Sequence, residues 1–232
     1  MSADAYKKQA AEAAAALVGP EMTLGLGTGS TAAHFIAALA LRARGGLYVK
    51  GAPTSDDTAR KAAAAGIDLI EPDETTIIDL AVDGTDEVDG ALTLIKGGGG
   101  ALLREKIVAN AARRFVVIAD ASKKVAQLGK FPLPVEIDRF AFALTVRAVR
   151  EALADLGYAR AEVRLRAGAA GAAFLSDGGN FILDCALARI DDARTLDSAL
   201  KKIPGVIETG LFIGMADEVI LAGPEGLERL KP

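Results

Sequence analysis

Short, nearly continuous apolar runs alternate along this 232-residue chain with longer stretches in which apolar residues return every three or four positions. The first pattern marks strands buried on both faces, the second helices with one covered face. Residues 3–18 predict an alanine-rich helix stopped by Gly19 and Pro20. A strand at Met22–Leu26 follows, then a glycine-bearing turn and a helix from about Thr31 to Arg44. Leu47–Val49 predicts a strand, Asp56–Ala65 a helix closed by Gly66, and Asp68–Ile70 and Ile77–Val82 two more strands. Leu92–Ile95 reads as a short strand, 97–100 as a glycine loop, Ala101–Ala112 as a helix and Phe115–Ala119 as a strand. Strands alternating with helices predict an α/β fold, a mainly parallel Rossmann-like sheet with helices on both faces.

The texture changes near Gly129, where Phe131-Pro132-Leu133-Pro134 interrupts any regular element. Beyond it, strands at Val135–Ile137, Glu162–Arg166, Ala173–Leu175 and Asn180–Cys185 and a helix at Leu144–Leu156 suggest a β-α-β-β unit. A helix at Thr195–Lys202 precedes Pro204-Gly205, and strands at Ile207–Leu211 and Glu218–Leu221 close the chain. The expected organisation is a large α/β catalytic domain of residues 1–128 and 205–232, with a smaller α+β (ferredoxin-like) domain of residues 129–204 inserted into it. The final strands are expected to return to the large sheet.

Composition narrows the chemistry. Half the residues are hydrophobic (51%) and a quarter charged, so the chain can bury a core without disulfides or metal. It has no Trp and few aromatics, which argues against stacking platforms for single-stranded nucleic acid. A net charge of −4 gives no basic field to attract DNA or an acidic membrane, so an anionic substrate must be held by local donors. Cys185 and His34 are the single cysteine and histidine, which excludes a disulfide framework and a zinc site built from several Cys and His ligands. Oxygen ligands for magnesium remain conceivable. The first residues lack the apolar core of a signal peptide, and no apolar run approaches the roughly 20 residues of a membrane span, so the expected location is cytoplasmic.

Gly25-Leu26-Gly27-Thr28-Gly29-Ser30-Thr31 joins a strand to a helix. Such a junction offers unpaired N–H groups and the positive end of the helix dipole to a phosphate, while Thr28, Ser30 and Thr31 add hydroxyls. A plain tight turn with a Ser/Thr helix cap fits the same residues. Two nucleotide motifs fail: a dinucleotide fingerprint from Gly25 needs glycine where Ser30 stands, and no Gly-Lys-Ser/Thr run forms a P-loop.

Asp83-Gly84-Thr85-Asp86-Glu87 follows an apolar strand, at the end where open α/β sheets bind ligands. Two of its carboxylates three residues apart, Asp83 and Asp86, can hydrogen-bond sugar hydroxyls or act in proton transfer, or simply belong to a solvated Asp-Gly turn. Lys96-Gly97-Gly98-Gly99-Gly100 allows close approach of backbone to a ligand, with Lys96 as a cation for an oxyanion. Glu105 lies early in the next helix on a face with Leu102 and Val108. An apolar setting would raise its pKa and the helix dipole would lower it. Asp120-Ala121-Ser122-Lys123 adds a lysine at the same sheet edge; Cys185 sits in an apolar run and reads as core.

In order and spacing, these segments resemble the type A ribose-5-phosphate isomerase family. The resemblance runs through Gly27-Thr28-Gly29-Ser30-Thr31, Asp83-Gly84-Thr85-Asp86-Glu87, Lys96 to Glu105, Asp120-Ala121-Ser122-Lys123 and Gly129-Lys130-Phe131-Pro132-Leu133-Pro134. It continues to Asp177-Gly178-Gly179-Asn180, Pro204-Gly205-Val206 and Gly210-Leu211-Phe212, nearly the whole chain. It implies interconversion of ribose 5-phosphate and ribulose 5-phosphate in the pentose phosphate pathway, with no metal or organic cofactor. Glu105 would be the base that moves a proton between C2 and C1 through an enediolate. Asp83, Asp86 and Lys96 would assist ring opening and stabilise charge on the oxygens. Thr28, Gly29, Ser30, Thr31, Gly84, Thr85, Gly97, Gly98, Gly99 and Lys123 would hold the substrate, and Lys7 would reach the phosphate. Thr85 and Gly100 stand where many relatives have Ala. The family also implies a homodimer or homotetramer, with no nucleic-acid or membrane partner. A non-catalytic sugar-phosphate sensor would need the phosphate turn but not Glu105, and usually a DNA-binding domain for which no helix-turn-helix segment is evident.

Overall fold

The computed structural model describes residues 2–168 and 171–232. In chain order the first elements are α1 (Ala3–Ala15), β1 (Thr23–Leu26), α2 (Ser30–Arg44), β2 (Lys50–Pro53), α3 (Asp56–Ala64), β3 (Asp68–Leu69) and β4 (Leu80–Asp83). Then come β5 (Glu87–Val88), β6 (Leu94–Ile95), α4 (Leu102–Ala111) and β7 (Phe115–Asp120) with a 3₁₀ turn at Ala121–Lys123. The remainder is β8 (Leu133–Ile137), α5 (Phe142–Asp155), β9 (Glu162–Leu165), β10 (Phe181–Ala186), α6 (Ala193–Lys201), β11 (Val206–Thr209), β12 (Leu211–Phe212), β13 (Glu218–Gly223) and β14 (Gly226–Leu230).

Packing divides these elements into two compact units. The first, Met1–Thr85, Arg104–Lys124 and Gly214–Pro232, holds a seven-stranded sheet in the order β14-β13-β7-β4-β1-β2-β3. Every pairing in it is parallel except the closing β13–β14 hairpin. β4, β7 and β13 are buried at every position, as strands covered on both faces must be. Leu24, Leu26, Phe35, Leu39, Val116 and Ile118 lead the core. The inner face of α1 is alanine (Ala10, Ala11, Ala14, Ala15), small enough to let the helix lie close on β7, β13 and α2.

From β1 the chain builds outward to β2 and β3, then crosses back to place β4 on the other flank of β1. This reversal between β1 and β4 is a topological switch point, and the loops leaving those two strands open the crevice where doubly wound sheets bind ligands. The strand expected at Leu47–Val49 forms three residues later, as β2. Its sequence, Lys50-Gly51-Ala52-Pro53, carries little strand signal because β1 leaves room only for small side chains: a Cβ on Gly51 would fall 2.5 Å from Leu26 Cδ1.

The second unit, Asp86–Leu103 and Val125–Ile213, holds a four-stranded antiparallel sheet in the order β11-β8-β10-β9 and a three-stranded sheet in the order β12-β6-β5. The path β8-α5-β9-β10-α6-β11 with that strand order is a split β-α-β, or ferredoxin-like, arrangement. Its core gathers Leu133, Val135, Ile137, Val149, Leu153 and Leu200. Here the expected boundaries shift. Residues 86–103 pack in this unit because β5 and β6 pair with β12, and the Glu87 carboxylate accepts the N–H groups of Gly129 (2.7 Å) and Phe131 (2.6 Å). The strand expected to return to the large sheet from Ile207 instead forms β11 beside β8, since the tight Pro204-Gly205 turn leaves it no length to travel; β13 does join the large sheet. Of the strand expected at Ala173–Leu175, Ala173 makes an isolated bridge with Ala167; residues 169–170 between them lie outside the described residues. Among the described residues no helix is long and apolar enough to cross a membrane.

Candidate active site

At the switch point the β1–α2 turn and the end of β4 lock together. Asp83 Oδ1 accepts the backbone N–H of Thr28 at 3.0 Å and of Gly84 at 2.7 Å. Gly27 makes that approach possible, because a Cβ there would sit 2.2 Å from Asp83 Oδ1 and 2.6 Å from its Cα. Gly29 takes φ +104° to start α2, no side chain caps that helix, and both Gly29 and Ser30 are exposed. The first-turn N–H groups and the positive helix end therefore face outward. Lys7, from α1, donates to Ser30 Oγ at 3.0 Å, bringing a cation to the same helix end. Thr31 is buried beneath it. Exposed helix N–H groups with a cation beside them can receive an anion such as phosphate.

Glu105 lies in the first turn of α4 and is 4% exposed. It lines a crevice, too narrow for a water molecule, with Asp83, Gly27, Thr54 and the apolar Val108 and Phe115. Two carboxylates, one buried on a helix and one at a strand end, thus line one narrow gap next to the turn between β1 and α2. Such a pair can move a proton at carbon and handle hydroxyl protons next to it. Lys123 closes the 3₁₀ turn after β7, the strand beside β4, at the same edge of the sheet. Asp120 is used locally, capping that turn through Ser122.

In the second unit Asp86, Lys96 and the glycine run form a compact group. Lys96 is 2% exposed, with its ammonium 5.4 Å from the centre of the Phe212 ring and its backbone N–H on the Gly210 carbonyl. Gly97 and Gly100 adopt φ +105° and +84°, which explains glycine at both. Asp86 Oδ2 accepts the Gly98 N–H at 2.8 Å, and Gly98 and Gly99 are exposed.

Other polar groups take structural roles. Glu87 is spent on the Gly129 and Phe131 amides. His34 pairs with Asp4 at 2.9 Å, joining α1 to α2, and this partner holds the Asp4 carboxyl below the usual aspartate range. Cys185 is wholly buried, and burial pushes its thiol up to about 12. Among the described residues no group of three or more His, Cys, Asp or Glu is placed to hold a metal ion.

One part of the site escaped the sequence reading. Thr28 Oγ1 lies 2.8 Å from Thr54 Oγ1, 2.8 Å from Ser55 Oγ and 3.2 Å from Thr58 Oγ1. Thr58 Oγ1 donates onward to the Gly27 carbonyl. This hydroxyl cluster at the β2–α3 junction fixes the Thr28 side chain. Its sequence signal was the Thr54-Ser55 cap ahead of Asp56-Asp57, which marks a helix start after a strand.

Comparison with known proteins matches this architecture. The family model for ribose 5-phosphate isomerase A (phosphoriboisomerase A) matches residues 50–226. A ribose-5-phosphate isomerase A from Rhodopseudomonas palustris (strain BisB18) is 55% identical over 98% of this chain and 97% of its own. The protein of the same name from Methylorubrum extorquens is 54% identical over 97% and 95%. A solved D-ribose-5-phosphate isomerase in complex with phospho-erythronic acid superposes with a TM-score of 0.92 at 39% identity, covering all of both chains. Ribose 5-phosphate isomerase A from Methanocaldococcus jannaschii gives 0.91 at 41%, also covering all of both. The sequence motifs, the sheet order and these full-length likenesses agree: the chain belongs to the ribose-5-phosphate isomerase A family.

Proposed function

We infer that the protein interconverts D-ribose 5-phosphate and D-ribulose 5-phosphate, an aldose–ketose isomerisation of the pentose phosphate pathway, with Glu105 moving the proton. The observation that carries the reading is the buried Glu105 carboxylate, which lines the same narrow gap as Asp83 next to the turn between β1 and α2.

In this reading the substrate phosphate sits at the N-terminus of α2, held by the Thr28–Thr31 turn and by Lys7. Ring opening requires the O1 hydroxyl to lose a proton and the ring oxygen to gain one as the C1–O4 bond breaks. Asp83 and Asp86 serve that exchange. Glu105 then takes the proton from C2, leaving an enediolate, and returns it to C1, while the O2 hydroxyl proton passes to O1. Lys96, the N–H groups of Gly97, Gly98 and Gly99, and Lys123 stabilise the oxygens and hold the chain of the sugar, with Gly84 and Thr85 beside it. A positioned carboxylate contributes roughly 10²–10⁴ in rate, and each donor aimed at the developing oxyanion about 10²–10³. None of these steps calls on a metal or an organic cofactor.

The same reading makes the protein a cytoplasmic homodimer or homotetramer, which sedimentation and cell fractionation test. The activity itself is tested by following ketopentose formation from ribose 5-phosphate before and after exhaustive chelation. Turnover unchanged by chelation is expected. Binding without turnover would make the protein a sugar-phosphate sensor, and activity restored by magnesium would return the acidic turn to metal chemistry.

A further inference from the structure

The Gly97–Gly98 peptide is held at both ends. Its N–H donates to Asp86 Oδ2 at 2.8 Å, and its carbonyl accepts from Arg166 Nη1 at 2.7 Å. The same Nη1 reaches the next carbonyl, that of Gly98, at 3.3 Å. Arg166 cannot swing away, because Asp184 takes its Nε at 3.0 Å and its Nη2 at 2.5 Å in a two-point fork. Its side chain is 12% exposed, and its guanidinium lies 5.8 Å from the centre of the Phe174 ring. Phe174 in turn packs onto Gly100, where a Cβ would meet the ring at 2.4 Å. Arg166 is 80 residues from Asp86 in sequence, yet one peptide unit links their side chains.

We propose that Arg166 is a positioning residue for the isomerisation, acting through the Gly97–Gly98 peptide to fix the carboxylate of Asp86. The proposal rests on the assignment of Asp86 to the reaction made above. Asp184 neutralises the arginine's charge, so Arg166 contributes direction: the fork onto Asp184 fixes the guanidinium, and its Nη1 then holds the Gly97 carbonyl and with it the plane of the peptide. That plane decides where the Gly98 N–H points, and hence which Asp86 oxygen it holds and where the other faces. Hydrogen bonds at the two ends of one amide also strengthen each other. A lysine has no planar fork with which to hold Asp184 and the peptide carbonyl together.

A double-mutant cycle tests this. Arg166→Met is expected to lower kcat by on the order of 10- to 100-fold, the effect of a misplaced reacting group, with KM little changed. Arg166→Lys should recover only part of the loss. The deciding term is the coupling: if Arg166 acts through Asp86, the Arg166→Met/Asp86→Asn double variant is no slower than Asp86→Asn alone. Asp184→Asn, which loosens the fork while keeping Arg166, should reproduce the Arg166→Met loss and serves if that variant does not fold. Additive losses in the cycle, or wild-type kcat in folded Arg166→Met or Asp184→Asn, would overturn the proposal. Full activity in Asp86→Asn would instead remove Asp86 from the reaction, a distinct failure.

Discussion

Asp83 and Thr28, 55 positions apart in sequence, share a hydrogen bond of 3.0 Å from the Thr28 amide to Asp83 Oδ1, which makes the phosphate turn and the acidic turn a single structural piece. Their strands run parallel and adjacent, with Leu26 opposite Val82, so the two loops leave the sheet side by side. Gly27→Ala should break this piece. The added methyl would meet both the carboxylate and the backbone of Asp83, so neither side-chain rotation nor solvent can accommodate it. We predict a lowered melting temperature and a fall in kcat/KM of about 10²-fold from displaced groups. Steady-state kinetics of the folded variant check it; wild-type values would show that the turn and Asp83 are not coupled.

Lys7 approaches Ser30 from α1 at the exposed end of α2. In the proposed function a cation there serves the substrate phosphate, which is held alike in ground and transition states. Lys7→Met should therefore raise KM and leave kcat nearly unchanged. The loss of one charge-assisted contact is about 1.5–3 kcal/mol, or roughly 10- to 150-fold in KM. A fall in kcat at unchanged KM would place Lys7 in the chemical step instead.

Glu218, at the start of β13, is buried between two arginines, with Arg229 Nη1 at 2.7 Å from one oxygen and Arg114 on the other. Burial alone raises its carboxyl, but the hydrogen bonds and charges of Arg229 and Arg114 outweigh that and hold it below the usual glutamate range. Because the folded value is depressed, the stabilisation is complete above the unfolded pKa of about 4.3 and is lost as pH falls through the lower folded value. Glu218→Gln should cost about 1–3 kcal/mol near neutral pH, since both arginines are half-exposed. Urea melts should show the gap between wild type and variant narrowing below about pH 4. A gap independent of pH would contradict the assignment.

Cys185 sits in the core of the second unit with a thiol pushed up to about 12. At pH 8 only roughly one thiol in 10⁴ would be ionised, and burial blocks access as well. Iodoacetamide should leave the folded protein active and unmodified and label it fully in denaturant. Rapid labelling of the native protein would show that this core opens.

The sequence carried the large sheet well wherever burial on both faces demands continuous apolar runs, as in β7 and β13. It misplaced β2, because close packing on Leu26 requires Gly51 and Ala52, which look like a loop, while Leu47–Val49 upstream looks like a strand. That shift of three residues also hid the Thr54, Ser55 and Thr58 hydroxyls that hold Thr28. β5 and β12 are two residues each and exist through pairing with β6, so no local period announces them. β14 is an exposed, charged edge strand with little apolar alternation. The turn at Gly27–Thr31, Asp83, Asp86 and Lys96 were legible as candidates because each stands in a short local motif at the end of a strand. The structural roles of Glu87 and Arg166 were silent, because the partners of both lie far along the chain.

The central claim is that the Glu105 carboxylate takes the hydrogen from C2 of ribose 5-phosphate, and the direct measurement is the loss of that hydrogen, followed by proton NMR as ribulose 5-phosphate forms. Glu105→Gln keeps the size of the side chain in its crevice and removes the base. The variant, folded and still binding substrate, should lose the C2 hydrogen about 10²–10⁴-fold more slowly than wild type. A rate within about tenfold of wild type would show that another group moves the proton.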